Sequence, residues 1–247
     1  MNFNEHKWQG AKIISIYTNI ERDKTNIVME ILRIDGMMDT MCFYNVYSFE
    51  INCSTNSFMS NQTLRYAYEY HNPHNKIQKI YADMRGHCMV PLCYYFFDMG
   101  QTENIGIVAE KYSFEKSHKI EQCSMEGIID FNNLEWHDAI ITKIVNHFGH
   151  SENRSVELEV HWVNDKVSSI IFEEVYSVEM CMSFLTSGPG ILVVDASEYD
   201  YRDHKVDLLY RECGSVSVLK LKYYHISFGG AESIGVLASG VVCKNIK

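Results

Sequence analysis

The chain has 247 residues, 46 % of them hydrophobic and 22 % charged, which fits a folded protein of up to two ordinary domains and excludes a disordered chain. Its formal net charge of −10 disfavours nucleic acid and anionic membranes as partners, because like charges repel each other. The sequence lacks a signal peptide in residues 1–7 and lacks the roughly 18 consecutive apolar residues of a membrane helix, so we expect a cytoplasmic protein.

The first half of the chain is predicted to form β-strands. Aromatic residues make up 13 % of the sequence, and Tyr and Phe pack well on a pleated sheet. Turn signals such as Asp35-Gly36 separate the apolar stretches. The predicted strands of this half cover residues 8–20, 25–34, 41–53, 63–70, 76–84 and, as a final pair, 88–112. Several short strands at this spacing are typical of a sandwich or a barrel-like fold.

The second half follows the same course. Apolar and polar residues alternate from Val156 to Trp162, which is the two-residue period of a half-buried strand. Glu173-Glu174 interrupts the next apolar stretch and predicts a bulge or a bend. The predicted strands cover residues 136–147, 156–162, 167–182, 191–194, 205–212, 216–228 and 232–242. At most a short helix is expected, within 196–201 or 121–132.

A stretch of the first half recurs in the second half. Tyr94–Ala109 matches Tyr223–Ala238 at a spacing of 129 positions, and both contain a Tyr-Tyr pair, a Gly, a Glu, an Ile-Gly step and a final Ala. Self-similarity at a fixed spacing indicates an internal duplication. We therefore predict a mainly β protein of two tandem, structurally similar β-sandwich or barrel-like domains. The predicted domains are 1–118 and 129–247, joined by a short linker at about 119–128.

The eight cysteines are predicted to be reduced thiols. They are Cys42, Cys53, Cys88, Cys93, Cys123, Cys181, Cys213 and Cys243. None belongs to a Cys-x-x-Cys pair, and none coincides with another at the 129-residue spacing. A disulfide or zinc framework copied with a domain would have kept its cysteines aligned, so we expect reduced thiols in a cytoplasm, most of them buried, and no metal.

The sequence contains no motif that identifies a reaction, and no catalytic residue or cofactor is predicted. His71 and His74 have the i, i+3 spacing of metal ligands, but no Cys or carboxylate spacing supplies a third ligand, so solvated turn histidines are expected. His137-Asp138 has the composition of an acid–base pair. Neighbours in a strand point to opposite faces, so these two side chains are not expected to meet.

The net charge is concentrated in the second half of the chain. Residues 1–118 contain 13 acidic and 11 basic residues, whereas residues 119–247 contain 19 acidic and 11 basic residues. An acidic run with interleaved tyrosines is predicted to bind a protein partner, because rigid aromatic rings anchor an interface and charges steer association. These residues are Asp195, Glu198, Tyr199, Asp200, Tyr201, Asp203, Asp207 and Glu212. The alternative is an ordinary solvated rim that keeps the protein soluble.

The start of the second half resembles a known kind of protein. Leu134-Glu135-Trp136-His137-Asp138-Ala139, followed by a predicted hairpin, is similar to the Trp/Leu-His-Asp-Ala strand starts of small bacterial immunity proteins. These proteins neutralise toxins of contact-dependent inhibition and other polymorphic toxin systems. Trp8 and Ala11 occupy the corresponding positions of the first half. The resemblance implies a cytoplasmic, non-catalytic protein that binds one toxin, and many such toxins are basic nucleases.

The leading hypothesis is therefore an immunity protein, or antitoxin, that binds and occludes the cationic cleft of a cognate, basic nuclease toxin. A second hypothesis is a non-catalytic β-sandwich module that binds a ligand such as a carbohydrate. It predicts exposed aromatic side chains around a groove and binding that depends little on salt. A third hypothesis is a hydrolase that uses paired carboxylates, and it predicts a pH-dependent rate. Nucleic acid and membranes are not expected as partners.

Overall fold

The computed structural model describes residues 3–20, 24–53, 63–71, 74–84, 90–100, 103–115, 130–148, 154–184, 190–199 and 221–246. The described strands are β1 (Lys12–Ile20), β2 (Thr25–Leu32), β3 (Met38–Cys53), β4 (Tyr66–His71), β5 (Cys93–Gly100), β6 (Glu103–Glu115), β7 (Ile140–His147), β8 (Ser155–His161), β9 (Val167–Ser183), β10 (Ile191–Leu192), β11 (Asp195–Tyr199), β12 (Lys222–Gly229) and β13 (Glu232–Ile246). The described helices are the α-helix α1 (Asn75–Asp83) and the 3-10 turns η1 (Phe3–Glu5) and η2 (Phe131–Asn133). The prediction of a mainly β protein is confirmed.

All described strands belong to one antiparallel sheet. Its order is β11-β12-β13-β9-β8-β7-β1-β2-β3-β6-β5-β4, with β10 paired to β7 and an additional pairing between β3 and β9. The sheet therefore begins and ends with corresponding strands of the two halves, β11 and β4. Strands of both halves share this sheet, and the division into 1–118 and 129–247 stays a prediction.

The additional β3–β9 pairing closes six strands into a ring. β1, β2 and β3 of the first half continue through β9, β8 and β7 of the second half, and β7 pairs back onto β1. Both seams are two-fold symmetric. Tyr17 pairs with Val145, which lies 128 positions later, and Ile51 pairs with Met180, which lies 129 positions later. This symmetry supports an internal duplication.

One hydrophobic core fills the space between the strands of both halves. Its aromatic members include Phe43, Tyr95, Phe172 and Tyr224, and all four side chains are almost inaccessible to solvent. Alternation along the strands places these residues inside, because successive side chains of a strand point to opposite faces. The core therefore joins the two halves and does not separate them.

Both long strands contain a bulge at the same place. Glu174 has a φ of 49°, and the β13–β9 register shifts two residues later, at Tyr176. Asn45, 129 positions earlier, has a φ of 52°, and the β3–β6 register shifts two residues later, at Tyr47. An extra residue bends a strand and increases its twist. The bulge or bend predicted at Glu173-Glu174 is confirmed by the positive φ of Glu174, and β9 pairs with β8 before this region and with β3 after it.

One of the two places predicted for a short helix, 196–201, was wrong, because Asp195–Tyr199 form β11. The other, 121–132, lies outside the described residues up to residue 129 and ends in the 3-10 turn η2. The strand predicted over 76–84 was also wrong, because Asn75–Asp83 form the helix α1. Ile77 and Ile80 lie three positions apart and are both buried, which is the spacing of a helix face. The Nδ1 atom of His74 accepts a hydrogen bond from the backbone N–H of Lys76 (3.3 Å) and caps the helix. None of the described helices has the length and apolar character needed to span a membrane.

Candidate functional site

The two end strands of the sheet carry the most distinctive surface side chains. Among the described strands, β4 pairs only with β5 and β11 pairs only with β12. The exposed edge of each end strand is covered at one point by a 3-10 turn. The Oδ1 atom of Asn4 accepts the backbone N–H of Glu69, and the Oδ1 atom of Asn132 accepts the backbone N–H of Glu198, both at 2.8 Å. Covering an edge in this way protects a sheet against pairing with another strand.

Strand β11 carries the described part of the predicted partner-binding run. Asp195 and Tyr199 are exposed, and the Tyr199 ring lies 6.3 Å from the ring of Tyr223 on β12. Glu198 is partly covered, with 14 % of its side chain exposed, and its Oε1 atom forms an ion pair with Lys222 Nζ. The structure thus brings these three residues together on one strand. The other five predicted residues, Asp200, Tyr201, Asp203, Asp207 and Glu212, lie outside the described residues.

Strand β4 presents a row of tyrosines that the sequence analysis did not single out. Tyr66, Tyr68 and Tyr70 are 42 %, 46 % and 39 % exposed, and their ring centroids are 5.1 and 6.0 Å apart in sequence order. A hydrogen bond to Asp98 raises the pKa of Tyr66. The signal was available in the sequence, because tyrosine recurs at every second position of a predicted strand and must therefore lie on one face. Large exposed rings in a row are typical of a binding surface.

The opposite face of the β4–β5 hairpin holds three possible metal ligands. Glu69, His71 and Cys93 each offer one ligand atom, and these three atoms lie within 4.8 Å of one another. His71 is exposed, and its Nδ1 atom lies 3.1 Å from Cys93 Sγ. The prediction that no third ligand stands near His71 was therefore wrong. Spacing along the chain could not reveal it, because Cys93 is brought to His71 by the pairing of two strands.

A buried tyrosine lies beside this cluster. The buried hydroxyl of Tyr95 is hydrogen-bonded to both Cys93 and Glu69, and burial strongly raises the pKa of Tyr95. Burial also raises the pKa of Cys93 to about 11. His74 is not part of the cluster. Its ring stacks on Tyr94 (centroids 4.6 Å apart), and it caps α1 and is only partly exposed, so the prediction of two solvated turn histidines was wrong for His74.

His137 and Asp138 do meet, contrary to prediction. His137 Nδ1 lies 3.0 Å from Asp138 Oδ2, because both residues stand in a turn that precedes β7 and not within a strand. Asp138 has a φ of 65°, and Gly10, 128 positions earlier, has a φ of 83°. Both side chains of the pair are largely solvent-exposed.

The five cysteines among the described residues, Cys42, Cys53, Cys93, Cys181 and Cys243, are free thiols, as predicted for them. The remaining three lie outside the described residues. No protein-family model, no curated protein and no solved structure matches the chain, so its function has to be argued from its own residues.

Proposed function

We propose that this chain is a non-catalytic binding protein that acts as an immunity protein and occludes a basic toxin domain. The observation that supports this proposal is the composition of β11, an end strand of the sheet that exposes Asp195 and Tyr199. It lies in the half of the chain that carries 19 acidic and 11 basic residues. Exposed carboxylates steer a cationic partner towards a surface, and an aromatic ring beside them provides a contact that slows dissociation.

Recognition is expected to proceed through side chains and not through addition of a strand. The backbone N–H of Glu198, on the outer edge of β11, already donates a hydrogen bond to Asn132 Oδ1, and η2 lies against β11. A partner strand would have to displace this contact before it could extend the sheet. The ion pair with Lys222 holds the Glu198 carboxylate in place. Asp195 and Tyr199 are therefore the described residues of β11 that a partner would touch first.

A growth assay tests the proposal. The protein encoded by the gene next to that of this chain is expressed in bacteria with and without this chain. We expect it to stop growth when expressed alone, and growth to be restored when both are present. Asp195→Lys should slow association of the purified pair several-fold and reduce its salt dependence, because a charge at the rim acts on the association rate. Asp83→Lys, on the exposed side of α1, is the matched control with the same change in net charge.

Two outcomes would contradict the proposal. If this protein fails to restore growth although both proteins are produced, it is not the immunity protein of that toxin. If Asp195→Lys and Asp83→Lys have equal effects on association, the response reflects net charge alone and β11 is a solvated rim. Restored growth together with a larger effect of Asp195→Lys would support both the function and the surface.

The tyrosine row of β4 favours a second candidate, a non-catalytic module for a ligand such as a carbohydrate. Tyr66, Tyr68 and Tyr70 form an exposed aromatic surface, and sugar rings bind such surfaces through their apolar faces. Binding to a glycan array that is unchanged between low and high salt, and that is lost in Tyr68→Ala, would support this candidate. If the protein binds no glycan of the array, or if Tyr68→Ala binds as well as the unchanged protein, this candidate is wrong.

A further inference from the structure

The β4–β5 hairpin brings a carboxylate, an imidazole and a thiol to one point. We propose that Glu69, His71 and Cys93 bind a zinc ion. Their three ligand atoms lie within 4.8 Å of one another, and oxygen, nitrogen and sulfur donors of these kinds are the ligands that Zn²⁺ takes in proteins. Three protein ligands leave a fourth position for water or for a group of a partner. The site does not depend on the proposed immunity function.

The strand register explains why the three side chains converge. His71 and Cys93 are directly opposite each other across the β4–β5 pair, where Cβ atoms stand about 4.5–5.5 Å apart. Glu69 precedes His71 by two residues, so both side chains lie on the same face of β4. A tetrahedral zinc ion with bonds of about 2.0 Å to nitrogen and 2.3 Å to sulfur needs these atoms about 3.5 Å apart. The observed His71 Nδ1–Cys93 Sγ distance of 3.1 Å is close to that value, and small side-chain rotations would open it.

The corresponding site in the second half already contains a positive charge. Glu198 lies 129 positions after Glu69, and its backbone N–H is held by Asn132 just as that of Glu69 is held by Asn4. Lys222 lies 129 positions after Cys93, and its ammonium group forms an ion pair with Glu198. The two hairpins thus have the same frame around the carboxylate. In the second half the cation beside the carboxylate is the ammonium group of Lys222. In the first half His71 and Cys93 stand beside the carboxylate, and they could bind a metal ion as the cation.

The outer shell of the first site suits a metal. A ligand is normally oriented by a hydrogen bond from a second residue, and the Tyr95 hydroxyl lies within reach of Cys93 and Glu69 and can donate its one proton to either of them. Cys93 is 9 % exposed, so the site is partly shielded from solvent.

The experiment uses the full-length protein after treatment with a chelator. Zn²⁺ is titrated by calorimetry, and Co²⁺ is titrated while the thiolate-to-cobalt charge-transfer absorption is recorded. We expect one equivalent of either metal and a charge-transfer band. Cys93→Ser should remove the band, and Cys93→Ser and His71→Ala should each weaken Zn²⁺ binding by at least about tenfold, since each removes one of three ligands. Cys181→Ser, at an exposed thiol on β9, is the matched control and should bind like the unchanged protein.

A further variant separates loss of the metal from loss of the fold. Cys93→Lys reproduces the Glu198–Lys222 arrangement in the first half and should stay folded by circular dichroism, but it should give no charge-transfer band. If the unchanged protein binds no equivalent of Zn²⁺ or Co²⁺, the proposal is wrong. It is equally wrong if folded Cys93→Ser keeps the band, because another thiol then holds the metal. If Cys93→Lys does not fold, Cys93→Ser and His71→Ala still decide between these outcomes.

Discussion

The hairpins β4–β5 and β11–β12 occupy the two ends of the sheet and are built on the same register, yet they carry different chemistry. Glu69 and Glu198 both lie opposite the second Tyr of a Tyr-Tyr pair and are both anchored by an Asn from a 3-10 turn. Around that carboxylate the first hairpin has a thiol and an imidazole, and the second has the ammonium group of Lys222. The frame is shared, and the two ends differ in the few side chains that surround the carboxylate.

The outer faces of the two hairpins differ as well. Three tyrosines alternate along β4, whereas Asp195, Ser197 and Tyr199 occupy the corresponding positions of β11. The first face is aromatic and the second is mixed acidic and aromatic. The two ends of the sheet therefore differ in the side-chain chemistry that they expose. Variants at corresponding positions separate what the two halves share from what distinguishes them.

The largest effect is expected from the buried tryptophans that the halves share. Trp136 and Trp8 donate their indole N–H groups to the carbonyl oxygens of Phe131 (3.0 Å) and Phe3 (2.9 Å), and both rings are buried. Trp136→Ala and Trp8→Ala should each lower the free energy of unfolding by about 3–5 kcal/mol, because each leaves a large cavity. Urea unfolding followed by circular dichroism measures the loss. Val163→Ala, at an exposed turn residue, is the control and should change it by less than about 0.5 kcal/mol.

The same variants test whether the halves unfold together. One core and two seams join the halves, so each Trp variant should shift a single transition of the whole protein. Two separate transitions, of which only one moves in each variant, would mean that 1–118 and 129–247 are independent domains. That result would contradict the cooperative coupling that the closed ring of strands implies.

Much of this comparison could be predicted from the sequence, because the repeat and the strand periods are local signals. The alternation in β8 and the bulge in β9 depend on neighbouring residues and were found. The helix α1 was missed because residues 76–84 were assigned by their alignment with the predicted strand 205–212. The helical spacing of Ile77 and Ile80 and the capping contact of His74 were not recognised.

The pairing of the two halves could not be predicted. A seam such as Ile51 with Met180 joins residues 129 positions apart, and no local pattern specifies the partner of a strand. The cluster of Glu69, His71 and Cys93 escaped prediction for the same reason. The acidic run was recognised from its composition alone. Composition indicates a charged surface but not how its side chains are arranged. Of that run, the structure describes only Asp195, Glu198 and Tyr199.

The second largest effect is expected at the ion pair of the second hairpin. Lys222→Met removes the ammonium group and leaves Glu198, with 14 % of its side chain exposed, without its counter-charge. The free energy of unfolding should fall by about 1–2 kcal/mol, a loss between those typical of exposed and of buried ion pairs. Lys166→Met, at an exposed turn lysine, is the control for lost charge. Equal unfolding free energies of Lys222→Met and Lys166→Met would show that the pair adds nothing to stability.

A smaller effect is expected from a histidine at the β1–β7 seam. Burial lowers the pKa of His147, although Glu157 and Glu30 act in the opposite direction, and Lys143 lowers the pKa further. The unfolded chain takes up a proton near pH 6.5 while the folded protein resists it. Stability should therefore fall as the pH decreases through 6.5, by at most about 1.4 kcal/mol per pH unit from this residue.

The comparison of the halves supplies the variant for this test. Asn19 stands at the corresponding position of the first half, 128 positions before His147, so His147→Asn replaces one half's residue by the other's. Unfolding free energies at pH 7.5 and 5.5 should differ less in His147→Asn than in the unchanged protein. A pH dependence that is the same in His147→Asn would assign it to other groups.

The smallest effect on stability, and the one that best distinguishes the two ends of the sheet, is expected for the exposed tyrosines. Tyr68→Thr and Tyr199→Thr should each change the free energy of unfolding by less than about 0.5 kcal/mol, because both rings are exposed and Thr suits a strand. Each variant therefore probes binding without disturbing the fold. If the partner docks on β11, Tyr199→Thr should speed its dissociation and Tyr68→Thr should not, and the reverse result would place the interface on β4. If neither variant changes the dissociation rate of a partner that binds the unchanged protein, the interface includes neither ring. The proposal that an end strand of the sheet anchors the partner through these tyrosines would then be wrong.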